Sequence, residues 1–253
     1  MPILLRTQDC SFRDLLETRY AGFIAAPERA QFEFDVDLVA QSRAADSDED
    51  ARAEMQDGQW LLRRGDFFAR WDPRQGRGTV RQSANPYSID SVLRIVHTLM
   101  LARDGGFLLH AASAIRDGHA FLFCGVSGAG KTTISRLAPA DAILLTDEIS
   151  YIRREGDHYR AYGTPFAGEL ARPGENCSAP IGSLFLLEKG LSNAIEPLTT
   201  AAATGRLLRN ILFFAEDPEL VRMVFRSACD FVERVSVQQL TFVPDERVWE
   251  LIR

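Results

Sequence analysis

The chain reads Gly125-Val126-Ser127-Gly128-Ala129-Gly130-Lys131-Thr132-Thr133 near its centre, and this stretch matches the phosphate-loop pattern G-x-x-x-x-G-K-[ST]. An apolar run at 120–124 precedes it and predicts a strand, while the run at 133–137 is compatible with a helix. In such a strand–loop–helix unit, glycines let successive backbone N–H groups face phosphate oxygens, and the helix N-terminus adds a positive field. The stretch therefore predicts a loop that binds a nucleoside triphosphate.

The residue types in this loop predict separate roles. Lys131 is expected to reach the β- and γ-phosphates of ATP, and the Thr132 hydroxyl to ligate Mg²⁺. A glycine-rich turn that matches the pattern by chance is the alternative, and the flanking strand and helix argue against it. The predicted nucleotide contacts are Gly125, Ser127, Gly128, Ala129, Gly130, Lys131, Thr132 and Thr133.

Composition narrows the class of protein. The chain has 253 residues, of which 46% are apolar, so it can build a substantial core. Its 29 basic and 35 acidic residues give a net charge of −6, which disfavours nonspecific nucleic-acid binding. The spacing of its 4 cysteines indicates neither a zinc site nor a disulfide framework. We find no signal-peptide pattern and no membrane-spanning apolar run, so we expect a cytoplasmic protein without membrane contact.

The chain divides into two predicted regions. Residues 1–86 contain short apolar or aromatic runs separated by turn-rich segments, which predicts a small, mainly β N-terminal region without a recognisable chemical motif. Residues 87–253 carry the phosphate loop. They open with an amphipathic helix that starts near Ser88 and ends near 104.

The connection ahead of the phosphate loop decides the kind of sheet. Residues 107–115 predict a strand, and Asp117-Gly118 is a tight-turn signal, so the strand at 119–124 should return antiparallel. The prediction is a mixed sheet rather than a parallel series. Further predicted elements are strands at 142–146, 149–154, 158–162, 181–187 and 237–243, helices at 199–214 and 218–234, and a short C-terminal helix containing Trp249.

Two adjacent acids follow the strand at 142–146. Asp147 and Glu148 lie where a metal-coordinating acid belongs, at the carboxyl end of the strand after the phosphate-loop helix. Neighbouring side chains at a strand end point to opposite sides. One acid is therefore expected to face Mg²⁺, while the other faces a substrate hydroxyl or packs locally. A solvated acidic turn is the alternative.

Other polar residues are weaker candidates. His110 ends an apolar run on the strand predicted to pair with the phosphate-loop strand. It is either a satisfied core residue or a donor to phosphate near neutral pH. The segment 163–169 is a constrained corner, and Arg172 beyond it is either a phosphate or carboxylate contact or a solvated side chain.

Together these features resemble the catalytic domain of HPr kinase/phosphorylase, a family related in fold to the ATP-dependent phosphoenolpyruvate carboxykinases. The resemblance covers roughly residues 88–253 and implies an α/β, mixed-sheet phosphate-loop domain. Gly163-Thr164-Pro165-Phe166 with Gly168-Glu169 looks like a signature of shorter HPr-kinase-like proteins, some of which accompany peptide-modification genes. The matching motifs are Leu108-Leu109-His110-Ala111, Gly125 to Thr133, and Leu144-Leu145-Thr146-Asp147-Glu148.

The resemblance implies roles for individual residues. Asp147 would be the general base, His110 would lie near the transferred phosphate, and Lys131 with the loop amides would hold ATP. Thr132 together with Asp147 or Glu148 would hold Mg²⁺, although Glu148 stands where the family usually has a second aspartate. Because the related kinases assemble into oligomers, it also implies a homo-oligomer.

Three functions remain open at this stage. The first is an ATP·Mg²⁺-dependent kinase that phosphorylates a hydroxyl of a protein, a peptide or a small molecule, because phosphoryl transfer needs little beyond electrostatic positioning and a base. The second is an ATP- or GTP-hydrolysing switch. The third is a nucleotide-binding accessory protein without turnover. The sequence does not identify the molecule whose hydroxyl would accept the phosphate.

Overall fold

The computed structural model describes residues 1–40 and 50–252. These residues form two compact units. One unit holds the described residues of 1–99 together with 213–221. The other holds residues 100–212 and those from 222 onward. None of the described helices is both long and apolar enough to cross a lipid bilayer.

The first unit is mainly β. Its elements are β1 (Ile3–Thr7), α1 (Cys10–Arg19), β2 (Phe32–Leu38), β3 (Arg52–Gln56), β4 (Gln59–Arg64), β5 (Phe67–Asp72) and β6 (Arg77–Gln82). Within the described residues the strands form a six-stranded sheet in the order β1-β2-β6-β5-β4-β3. β1, β2 and β6 run parallel, and the remaining pairs are antiparallel.

Alternation along the strands creates the core of this unit. In β5, Phe67, Ala69 and Trp71 are buried while the residues between them are exposed, as expected for a sheet with one covered face. The short helix α1 was missed by the sequence analysis. Its signal was a capping aspartate, since the Asp9 carboxylate accepts a hydrogen bond from the Phe12 N–H at 2.8 Å.

The helix α2 spans Pro86–Arg103 and confirms the predicted amphipathic helix. Its residues up to Leu99 belong to the first unit. Here the buried carboxylate of Asp90 accepts hydrogen bonds from the Arg19 guanidinium at 2.5 Å and from the Tyr20 hydroxyl at 2.5 Å. A buried charge needs such partners, so this cluster has a structural explanation.

The second unit contains a larger mixed sheet. Its elements are β7 (Phe107–Arg116), β8 (His119–Cys124), α3 (Lys131–Arg136), β9 (Ile143–Thr146), β10 (Ile149–Glu155), β11 (His158–Tyr162), β12 (Ser178–Lys189), β13 (Ala194–Pro197), α4 (Thr200–Leu208), β14 (Ile211–Leu212), α5 (Pro218–Arg234, in this unit from Arg222), β15 (Ser236–Phe242) and a 3₁₀ turn at Glu246–Glu250. Among the described residues its nine strands follow the order β11-β10-β7-β8-β12-β15-β13, with β9 and β14 also on β7.

The predicted hairpin is confirmed. β7 and β8 are antiparallel, and Asp117 and Gly118 connect them with φ values of 49° and 78°. Two successive left-handed residues are the requirement of the tight turn that suits a hairpin. On its other edge β8 runs parallel to β12, which in turn runs parallel to β15. β8 therefore stands where the antiparallel and parallel parts of the sheet meet.

Helices cover both faces of this sheet. One face packs against α4 and the later part of α5, through Leu207 and Phe231. The other packs against α3 and the C-terminal 3₁₀ turn, through Ile134 and Trp249. The indole N–H of Trp249 donates to the Ile134 carbonyl at 3.0 Å, which ties the end of the chain to α3.

The predicted helix at 199–214 is wrong in its second half. α4 ends at Leu208, and Ile211 and Leu212 pair with β7 instead. β8 pairs β7 only from Ala111 onward, so the backbone groups of the preceding residues are available to β14. This distant pairing outweighs local helix propensity. The short strand β13 was also missed.

Candidate functional site

The loop at 125–130 joins the buried strand β8 to α3, as its sequence predicts. Gly128 and Gly130 adopt left-handed backbone conformations with φ of 76° and 110°, which side-chain-bearing residues rarely tolerate. Gly130 is also crowded, because a Cβ atom there would lie 2.6 Å from Cζ of Phe242. These two positions fix the curl of the loop.

The exposed part of the loop combines polar backbone with one large apolar side chain, that of Val126, which is 71% exposed. Residues 126–128 are exposed, while Gly125 and Ala129 are buried. The first turn of α3 follows directly, and among the described residues no side chain caps it. The initial N–H groups of a helix have no intrahelical partner, so they are donors available to an anion.

Lys131 is folded back onto this loop. Its ammonium nitrogen donates to the Gly125 carbonyl at 2.8 Å and to the Val126 carbonyl at 3.3 Å, and only 9% of the residue is exposed. Burial lowers the pKa of this amine, and the nearby carboxylates of Glu148 and Glu169 act in the opposite direction. A cation thus lies at the loop, inside a field of nearby carboxylates.

The two adjacent acids differ in burial and in their interactions. Asp147 is 3% exposed, and its oxygens accept backbone N–H groups of Gly168 at 2.9 Å and Leu170 at 2.8 Å. Glu148 is half-buried, and its charge acts on Lys131. Asp147 therefore holds the segment that follows β11, whereas Glu148 acts electrostatically on the loop lysine.

His110 lies on β7, one residue before the Ala111–Cys124 pair that ends the hairpin. Alternation along the strand puts it on the same face as Ala112 and Ala114, and this face packs against α3. Its backbone N–H donates to the Asn210 carbonyl at 2.8 Å. The half-buried His110 thus belongs to the side of the sheet that carries the loop helix.

The described residues do not by themselves form a complete metal site at this loop. Thr132 is half-buried at the start of α3. Within residues 1–40 and 50–252, no group of three or more His, Cys, Asp or Glu side chains is arranged to hold a metal ion. A Mg²⁺ ion at this loop would therefore draw most of its ligands from phosphate oxygens and water, which is usual for Mg²⁺.

Two further charged residues, Glu169 and Arg206, have interactions that no motif in the sequence indicates. Glu169 was noted only within a motif, yet its charge reaches Lys131. The guanidinium of Arg206 on α4 pairs with Glu188 at 3.0 Å and donates to Gln239 at 2.8 Å. It therefore joins α4 to β12 and β15. Arg172 is exposed.

The fold and the site together define a mixed α/β protein with a glycine-rich loop between a central strand and a short helix. The model of the family described as "ScmC: SynChlorMet cassette protein ScmC" matches residues 79–253, and the chain belongs to this family. The matched region includes the whole loop and both acids.

Among solved structures, the chain is similar to one titled "Structure of the Hpr(Ser) kinase/phosphatase from Coxiella burnetii". The match has 10% sequence identity and a TM-score of 0.33, and it covers 57% of this chain and 90% of that one. This likeness is weak. No curated protein matches the chain.

Proposed function

We propose that this chain is an ATP·Mg²⁺-dependent phosphotransferase that phosphorylates a hydroxyl group of a protein, a peptide or a small molecule. The observation that carries the proposal is the loop between β8 and α3. It combines the G-x-x-x-x-G-K-T sequence, left-handed glycines at 128 and 130, and Lys131 folded onto the loop. Strand before and helix after are the context in which this motif binds phosphate.

The residues at the loop fit a polyphosphate. Exposed backbone at 126–128 and the uncapped first turn of α3 offer N–H donors, and Lys131 offers a positive charge. An incoming phosphate would replace the carbonyl oxygens of Gly125 and Val126 as partners of the ammonium group. Because phosphate oxygens are charged and the carbonyl oxygens are neutral, this exchange would strengthen the hydrogen bonds that the ammonium group donates.

Thr132 and Glu148 provide the hard oxygen ligands that suit Mg²⁺, and His110 lies on the face of the sheet that carries the loop helix. Bound Mg²⁺ would neutralise phosphate charge. In this proposal Lys131 and the loop amides hold the γ-phosphate, and His110 donates a hydrogen bond to it. A carboxylate of the site accepts the proton of the acceptor hydroxyl.

One observation favours a second candidate, a nucleotide-binding or nucleotide-hydrolysing switch or accessory protein without an acceptor. Asp147, the residue expected to be the base, is buried, and both its oxygens hold backbone amides. If no other carboxylate serves as base, the loop could bind ATP or GTP without transferring phosphate to a hydroxyl.

Labelled ATP separates these candidates. Purified protein, Mg²⁺ and ATP labelled in the γ-phosphate are incubated with host-cell extract and with peptide and small-molecule hydroxyl acceptors. A kinase gives a labelled acceptor in the wild type and none in Lys131→Met, while Arg136→Met, an exposed change on the same helix, behaves as wild type. Nucleotide binding or release of free phosphate without any labelled acceptor would support the second candidate.

A further inference from the structure

β8 and β9 end at the same edge of the sheet in the second unit. β7 lies between them and is antiparallel to both, so β8 and β9 run in the same direction. Ser113 of β7 pairs with Leu122 on one side and with Thr146 on the other, which sets β8 and β9 about 10 Å apart there. The phosphate loop, from Gly125, and Asp147 therefore leave the sheet at one edge.

The segment 163–177, which we call the strap, is a closed loop attached to β9. Its two ends meet, because the Gly163 N–H donates to the Cys177 carbonyl at 2.9 Å. The Glu175 N–H donates to the carbonyl of Leu144 in β9 at 2.9 Å. The base of the strap is thus hydrogen-bonded to the strand that leads to Asp147.

Asp147 holds the tip of the strap. Its Oδ1 accepts the N–H of Gly168 at 2.9 Å, and its Oδ2 accepts the N–H of Leu170 at 2.8 Å. A Cβ atom at position 168 would lie 2.8 Å from that Oδ2, so glycine is what allows the backbone to approach so closely. The tip of the strap therefore lies at the edge of the sheet where the phosphate loop also lies.

The strap is anchored on the inside and accessible from the outside. Phe166 is only 3% exposed, whereas residues 169 and 171–173 are exposed. Loops that a rigid scaffold holds in place are where binding residues concentrate. A surface that is already ordered also loses less conformational entropy when a molecule binds to it. The strap thus has the properties of a binding surface beside the phosphate loop.

Asp147 is poorly suited to be the base that takes the acceptor proton. Both its oxygens already accept backbone amides, and the residue is 3% exposed. Protonation would turn one oxygen into a donor that faces an N–H group, so the proton transfer itself would break a buried hydrogen bond.

We propose that the strap forms the acceptor-binding side of the phosphate site, and that Asp147 is the positioning residue that holds the strap there. This inference rests on the proposed phosphotransferase function. It replaces the role of general base that the family resemblance implied for Asp147.

Asp147→Asn is the first test. Asparagine keeps one acceptor oxygen, but its NH₂ group cannot accept the second amide, so hydrogen exchange at Gly168 and Leu170 should become at least about 10-fold faster. In transfer from labelled ATP to an acceptor found for the wild type, the acceptor KM should rise at least about 10-fold, while kcat should fall less than about 10-fold. The dissociation constant of a fluorescent ATP analogue should change less than about 3-fold, because the phosphate loop is intact.

Gly168→Ala loosens the same contact without changing the carboxylate. The new Cβ would lie 2.8 Å from Oδ2 of Asp147, so this variant should also raise the acceptor KM and speed exchange at Leu170. Gly205→Ala on α4 is the matched control, since a Cβ there meets nothing within 4 Å, and it should match the wild type. The double variant of Asp147 and Gly168 should raise KM far less than the product of the single effects, because both changes break one contact.

The outcomes that would overturn the proposal differ from one another. Wild-type protein that binds the ATP analogue yet labels no acceptor contradicts the phosphotransferase function and this inference with it. Wild-type transfer, with kcat lowered about 100-fold or more and acceptor KM unchanged in Asp147→Asn, makes Asp147 the general base and overturns the inference alone. Faster exchange at Leu170 in Gly168→Ala without any change in acceptor KM would show that the acceptor does not bind at the strap.

Discussion

The ammonium nitrogen of Lys131 lies 2.8 Å from the carbonyl oxygen of Gly125, the first residue of the loop, and donates a hydrogen bond to it. The lysine thus closes the loop on itself. Burial costs this cation hydration, and a polyphosphate would supply the opposite charge that the two loop carbonyls lack. The same contact therefore concerns both stability and binding.

Lys131→Met should weaken binding of a fluorescent ATP analogue at least about 10-fold, because one charge-assisted hydrogen bond is worth roughly 1.5–3 kcal/mol. The methionine keeps the apolar stem but donates no hydrogen bond to the buried Gly125 carbonyl, so the free energy of unfolding should fall by about 1–3 kcal/mol. Titration and urea unfolding check the two parts. Arg136→Met is the control. Equal affinity in both variants would remove Lys131 from the phosphate site.

Gly130→Ala should destabilise the protein by roughly 2–4 kcal/mol. The left-handed conformation at φ 110° costs about 1–2 kcal/mol for a side-chain-bearing residue, and overpacking against Phe242 at 2.6 Å adds a similar amount. Gly128→Ala is the matched comparison, since its φ is 76° but a Cβ there meets nothing within 4 Å. Gly128→Ala should therefore lower the free energy of unfolding only by the roughly 1–2 kcal/mol that the left-handed conformation costs. Urea unfolding measures the loss of stability in both variants. A larger loss in Gly128→Ala than in Gly130→Ala would contradict this account.

Local signals in the sequence account for the elements around the loop. The Asp117-Gly118 turn, the apolar run of β8 and the glycines of the loop each act over a few residues, so the hairpin and the strand–loop–helix unit could be predicted. β14 could not, because Ile211 and Leu212 pair with β7 only once β8 has left part of that strand open. Such pairing depends on residues far apart in the chain.

In the candidate site, too, local patterns could be predicted from the sequence, whereas contacts between distant residues could not. Adjacent acids at a strand end were expected to differ in role, and Asp147 has side-chain hydrogen bonds to the segment 163–177. Which of them would face the loop depends on the segment 163–177, whose backbone amides reach Asp147 from about 20 residues away. Glu169 was overlooked for the same reason, since no local pattern predicts that its charge acts on Lys131.

Trp249→Phe should loosen the helix that follows the loop. The indole N–H donates to the Ile134 carbonyl at 3.0 Å, and the ring packs edge-on against Phe123. Loss of this donor and of ring volume should lower the free energy of unfolding by about 2–3 kcal/mol. Leu251→Ala, 40% exposed and two residues further on, should cost under about 1 kcal/mol. Chemical denaturation measures the loss of stability in both variants. Equal losses would mean that the contacts of Trp249 with Ile134 and Phe123 contribute little to stability.

His97 should make stability depend on pH between 6.5 and about 4. Burial lowers the pKa of this imidazole to about 4 from the ordinary 6.5, and the positive N-terminus adds to the effect. In this window the unfolded chain binds a proton that the folded chain does not. The free energy of unfolding therefore falls as the pH falls, by at most ~1.4 kcal/mol per pH unit from this group, whereas above pH 6.5 the group has no effect.

Comparing the wild type with a variant that lacks this histidine separates the contribution of His97 to the pH dependence of stability from that of other titrating groups. Urea unfolding of the wild type and of His97→Gln at pH 7, 6 and 5 should show a smaller loss of stability in the variant, because glutamine does not titrate but can still donate to the Leu93 carbonyl that His97 Nδ1 contacts at 2.9 Å. Identical slopes in the wild type and His97→Gln would show that the folded protein accepts the proton at His97 without penalty, and that its acid sensitivity lies in its carboxylates.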